Sequence, residues 1–197
     1  MKRQRGLILF VALIATVALA YAGVALLRTV MTSVTIGANV SARQQAILAA
    51  AIAVEEDTTA LFDTSAPVDT TADDPARNYF AARQSGEDAR GVPRALQTVA
   101  DYPPGASLLE AGEGFTARHL IERLCLLPGA ASVSNCTLSP PSIAAASGAP
   151  SPTEPPRTPY YRVTVRVDGP RGAATFVQAM LSEEPGHRRV SWRVIED

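Results

Sequence analysis

From Leu7 to Leu27 the chain runs 21 residues without a charge. At about 1.5 Å of rise per residue, such a helix is about 31 Å long, the thickness of a bilayer's hydrocarbon core. A second pattern follows without a break. Between Arg28 and Phe62 there is no proline and a single glycine, Gly37, while Val40, Ile47, Val54 and Leu61 recur at intervals of seven, with Leu48 and Ala51 on the same side. That spacing predicts an amphipathic continuation of the first helix. The β-branched run from Thr29 to Ile36, together with Gly37, marks the place where it would bend or melt.

Past Phe62 the helical period is lost. Asp63 to Gly91 is rich in Asp, Thr, Ala and Ser and punctuated by Pro67, Pro75, Gly86 and Gly91, so it reads as a long connection, with a short helix at Arg77 to Arg83. The segment DYPPGASLLEAGEG reads as turns. Thr116 is placed to cap a helix through about Leu126, with Leu120 and Leu124 on its buried side. Leu138 to Pro159 is a linker of Pro, Ser, Ala and Thr, too poor in large apolar groups to fold by itself.

From Tyr160 the period is two. Tyr161, Val163, Val165 and Val167 alternate with Arg162, Thr164 and Arg166, and turn signals at Asp168 to Gly172 and Glu183 to Gly186 separate three runs. These predict an antiparallel three-stranded meander whose apolar face packs on the outer half of the long helix. The expected class is therefore α+β. Six parts follow: 1–6, a basic leader; 7–28, a membrane span; 29–62, the outer helix; 63–136, a loop-rich region with the cysteines; 137–159, a linker; and 160–196, the meander.

Charge orients this plan. Lys2, Arg3 and Arg5 precede the apolar run and only Arg28 directly follows it, which places the N-terminus in the cytoplasm and the rest outside. Two other readings of the start remain open. One is a secretory signal with Leu7 to Val17 as its apolar region and Ala18-Leu19-Ala20 as its cleavage site; the other is an uncleaved anchor. Outside the cytoplasm Cys125 and Cys136, which enclose LLPGAASVSN, are expected to form a disulfide, with two reduced buried cysteines as the alternative. His119 and His187 stand alone, so neither a metal site nor a cofactor is expected.

The leader QRG joined directly to LILFVALIATVALAYAGVALLRT resembles the N-terminal segment of type IV pilus minor pilins and assembly proteins of the PilX family. NVSARQQAILAAA, from Asn39 to Ala51, is similar to the family's Asn, Arg-Gln and Ala-rich stretch; ARHLIERLCLLPGAASVSNC resembles its cysteine region less specifically. The resemblance implies cleavage by prepilin peptidase between Gly6 and Leu7. It also implies a pilin-like roll, a single pass through the bacterial inner membrane, and a periplasmic C-terminal part that can be carried into the pilus. Its partners would be other minor pilins and pilus assembly components. Val11 and Ala51 stand where related chains carry glutamate. A carboxylate at the first site neutralises a neighbour's terminal amine in lipid, and tip subunits of type II secretion pseudopili also lack it, so its absence favours a place at or near the tip.

The remaining chemistry is sparse. The sequence contains no phosphate loop, no G-x-S-x-G, no His-Glu-x-x-His and no nucleophile with a histidine partner. No enzymatic activity is expected, and Glu55-Glu56-Asp57 reads as a solvated helix end. Arg162, Arg166, Arg189 and Arg193 fall at strand spacing on the face away from the helix, a candidate basic interaction face for an acidic partner. Few aromatics interleave with them, which argues against nucleic acid. The expected function is that of a pilus assembly subunit. The alternatives are a tip pseudopilin of type II secretion and a single-span or secreted periplasmic binding domain.

Overall fold

A computed structural model of the chain describes residues 5–104, 106–110, 112, 114–139, 157–183 and 188–195. It divides into two compact units, the first ending at Arg43 and the second beginning at Gln44. Most of the expected linker, residues 140–156, lies outside the described residues, as do Lys2 and Arg3.

The first unit is the start of helix α1 (Arg5–Leu61), and helical hydrogen bonding continues through Gly37. Nearly every side chain from Leu7 onward in this unit is exposed. Five Ser and Thr hydroxyls in this part return to the helix itself: Thr16 donates to Leu13 O, Thr29 to Ala25 O, Thr32 to Arg28 O, Ser33 to Thr29 O and Thr35 to Met31 O. A hydroxyl bonded in this way presents no open donor to a hydrocarbon surround.

In the second unit the buried stripe of α1 is Ala46, Ala49, Ala50, Ala53, Val54, Asp57 and Leu61. Steps of three and four place these residues on one face. Val54 and Leu61 were expected there; Val40 and Leu48 were too, but both are more than half exposed. At the end of the stripe the ring of Phe62 stands edge-on to Tyr161 at 5.7 Å.

The strands are β1 (Tyr79–Phe80), β2 (Leu108–Glu110), β3 (Thr116–Arg123), β4 (Tyr160–Asp168), β5 (Ala174–Ser182) and β6 (Arg188–Ile195). β3, β4, β5 and β6 pair in that order, all antiparallel; β1 adds to β3 in parallel and β2 pairs β3 antiparallel. The expected meander is present as β4 to β6, but the sheet is mixed and has six strands. β4 is buried on both faces because Tyr161, Val163, Val165 and Val167 face α1 while Arg162 and Thr164 are covered from the other side. That second cover is the segment around the short helix α2 (Arg94–Gln97), whose Val92 and Leu96 close a cluster with Leu120 and Phe176.

Three local expectations are corrected. Thr116 to Arg123 is a strand, not a helix: Ala117, His119, Ile121 and Arg123 pair in register with Val167, Val165, Val163 and Tyr161. Both faces are buried, so strict apolar alternation is lost. Arg77 to Arg83 is not a helix either, since a 3-10 turn at Pro75–Arg77 ends on Asn78 in the left-handed region (φ 54°) and leads into β1. Within DYPPGASLLEAGEG, residues Leu108–Glu110 form β2.

Candidate functional site

The first candidate is the apolar helix. Its described part from Leu7 is long and apolar enough to cross a membrane, and its most apolar window buries nothing within the protein. Gly6 and Leu7, the residues flanking the expected cleavage, lie in the first turns of α1, and Arg5 begins it.

The second candidate is the arginine face, which the structure fills from within. Arg162 lies almost fully buried between two carboxylates, donating to Glu122 Oε2 from Nε at 3.0 Å and from Nη2 at 2.6 Å, and to Glu87 Oε1 at 2.6 Å. Hydrogen bonding from Arg162 holds the Glu87 carboxyl below its ordinary range. Burial pushes that of Glu122 upward against the opposing pull of the same arginine. Arg166 donates to the carbonyls of Leu96 and Gln97 and to Asp168. Arg193 grips Gln178 Oε1 from two nitrogens. Arg162 and Arg166 fasten the α2 segment to the sheet, whereas Arg193, though tied to Gln178, stays exposed. Arg189 does not share their face: a register shift between Met180 and Leu181 sets it opposite Leu181, with its guanidinium over the Trp192 ring at 5.0 Å.

The cysteines are bonded to each other, with Cα atoms 3.9 Å apart. Asn135 ties the enclosed loop by accepting from Leu127 N and donating to Leu127 O, each at 2.9 Å. Arg123 donates to Gly129 O and, at 3.1 Å, to Ala81 O, and Gly129 N donates to Thr71 O at 2.8 Å.

The third candidate was not anticipated. Asp57, expected to be solvated, is buried in the α1 stripe with Oδ1 3.3 Å from His119 Nε2. Asn78 Nδ2 approaches the same nitrogen at 3.1 Å and also donates to Tyr102 Oη at 2.8 Å, while Tyr102 Oη donates to Ser107 O. The left-handed backbone at Asn78, which asparagine tolerates better than most residues, brings its side chain under β3. Desolvation lowers the His119 pKa to about 4, with a backbone contact to Arg77 acting the other way. Burial raises that of Asp57 well above the carboxylate range, and neighbouring Glu56 raises it further. Among the described residues Asp57 Oδ2, Asn78 Oδ1 and His119 Nδ1 have no hydrogen-bond partner. This cluster meets a cleft of about 420 Å³ lined by, among others, Leu61, Val68, Leu109, Ile121 and Asp57. The signal in the sequence was positional: Asp57 continues the three-and-four spacing of Ala46, Ala50 and Ala53, where a solvated carboxylate does not belong.

No known protein-family model matches the chain, and no curated protein or solved structure matches it significantly.

Proposed function

We propose that the protein is a minor pilin-like assembly subunit of a type IV pilus. It is held in the bacterial inner membrane through Leu7 to Leu27, with its second unit in the periplasm, and is carried at or near the filament tip. The observation that supports this reading best is the union, in one helix, of two surfaces with different needs. Leu7 to Leu27 is uncharged, apolar and exposed, and the Thr and Ser hydroxyls from Thr16 to Thr35 bond back to the helix, while the stripe from Ala46 to Leu61 is already covered by the protein's own sheet. A membrane covers the first surface before assembly, and neighbouring subunit helices cover it afterwards. The leader ends at Gly6 directly before that surface, where prepilin peptidase would cut.

Val11 favours a second reading, a tip subunit of a type II secretion pseudopilus, because a terminal position has no neighbour above whose amine needs a carboxylate. The deciding experiment expresses the chain with and without prepilin peptidase and reads the N-terminus by mass spectrometry. Leu7 is expected only with the peptidase. A mature terminus at Tyr21, or an intact Met1 in both strains, overturns the proposal. Deletion in strains with assayable pili or type II secretion separates the two readings.

A further inference from the structure

We propose that the cleft beside Asp57 is a binding site for a primary ammonium group carried on an apolar stem. Native proteins leave few buried polar atoms unpaired, and each exception calls for a cause. Among the described residues three such atoms occur together, Asn78 Oδ1, His119 Nδ1 and a carboxyl oxygen, Asp57 Oδ2, the last on a residue only 5% exposed that lines a cleft of about 420 Å³. That volume is within the range of small-molecule sites. The cleft's walls are largely apolar, from Leu61, Val68, Leu109 and Ile121, and suit a hydrocarbon or aromatic stem.

Charge selects the head group. Glu56 and Asp63 also line the cleft, and among the described residues the one lining cation, Arg77, already faces Asp74 at 3.6 Å. An anion would meet three carboxyl groups. A metal ion lacks ligands, since the described residues contain no cluster of three donors suited to one. An ammonium supplies up to three donors and a positive charge, which match the acidic lining of the cleft, and a turn of the Asp57 carboxyl toward the cleft would bring its covered, unpaired oxygen to the ligand.

The groups facing Asp57 are Glu56 on its own helix, His119 on β3, Tyr102 across the cluster, and Asp63 and Arg77 at the cleft. Burial favours the neutral form of both Asp57 and His119. An entering ammonium draws the Asp57 carboxyl toward its ionised form, and the carboxylate accepts from the ligand; a proton held by the carboxyl beforehand leaves to solvent.

The test uses the full chain in lipid nanodiscs and isothermal titration with 2-phenylethylamine, with its neutral analogue 2-phenylethanol and its anionic analogue 3-phenylpropionate as controls. The amine is expected to bind saturably and about tenfold or more tightly than the alcohol, as loss of a charged hydrogen bond implies. The anion is expected not to bind. Asp57→Asn should abolish the preference for the amine. Ala60→Trp, a substitution at an exposed cleft residue, should block the amine without touching Asp57. Equal binding of amine and alcohol, or an unchanged preference in Asp57→Asn, overturns the proposal. A short peptide carrying one lysine, compared with its norleucine counterpart, separates the two sources of such a group: tighter binding than the amine points to a partner's lysine, weaker binding to a free small amine.

Discussion

Replacing Arg162 with methionine isolates the internal electrostatics of the second unit. The substitution keeps most of the side chain's volume but removes both donors to Glu122 Oε2 and the donor to Glu87. Glu122, which has no exposed surface, then keeps a single charge-stabilising contact, from Gln84 N to Oε1 at 2.7 Å. Leaving one member of a buried pair uncompensated costs about 3 to 5 kcal/mol, which for a domain of this size is a drop of about 6 to 20 °C in melting temperature. Adding Glu122→Gln to Arg162→Met removes the orphaned charge while keeping an oxygen for Gln84 N, and should restore at least about half of the loss. Thermal unfolding of the full chain in detergent, followed by near-ultraviolet circular dichroism, measures all three proteins. A cost below about 1 kcal/mol for Arg162→Met, the size typical of an exposed pair, or a double variant no better than the single one, would refute the claim that this arginine serves as internal fastening.

Cys125→Ser should lower stability by about 3 kcal/mol, the entropic expectation for so short a loop, and leave one titratable thiol at Cys136. Thiol labelling and melting with and without reductant check both effects. His119 takes up its proton near 6.5 in the unfolded chain but only near 4 in the fold, so across that interval the unfolded state holds the extra proton and stability falls as pH drops. His119→Gln should flatten that slope in a series of melting temperatures against pH. Asp57 has the opposite sign: its raised value means that its contribution is full below the ordinary 3.8 and lost as pH rises. Asp57→Asn should therefore raise the melting temperature at neutral pH. Gly169→Ala would set a Cβ 2.9 Å from the Phe115 ring and should cost about 1 to 3 kcal/mol by overpacking, measured by the same melts.

The long helix, the cysteine pairing and the β4 to β6 meander were legible in the sequence because each rests on local information: an uninterrupted apolar run, two cysteines joined by a short loop, an alternation with turns between. β3 was not. Its Leu120 and the following Leu124 mimic helical spacing, and its polar residues are satisfied by distant partners: Glu122 by Arg162, Arg123 by the carbonyls of Ala81 and Gly129. For the same reason the arginines read as a solvent face, since nothing local to β4 announces that residues 84–97 fold over it. Asp57 was missed because a run of three acidic residues looks like surface, although only the third lies on the alanine stripe.

The position of β3 also bears on how the chain folds. It pairs with β1, β2 and β4, so much of the sheet waits on one strand whose main partner begins at Tyr160, beyond a long intervening segment. The meander from β4 to β6 can form by itself from neighbours in sequence, but docking β3 against it requires that loop to close, and non-local pairing of this kind is slow. The Cys125–Cys136 bond and the Leu138–Pro159 bridge shorten the closure in two steps. Formation of that bond would then act as a timing event as well as a staple, because it helps β3 find the edge of β4 before the exposed meander meets another chain.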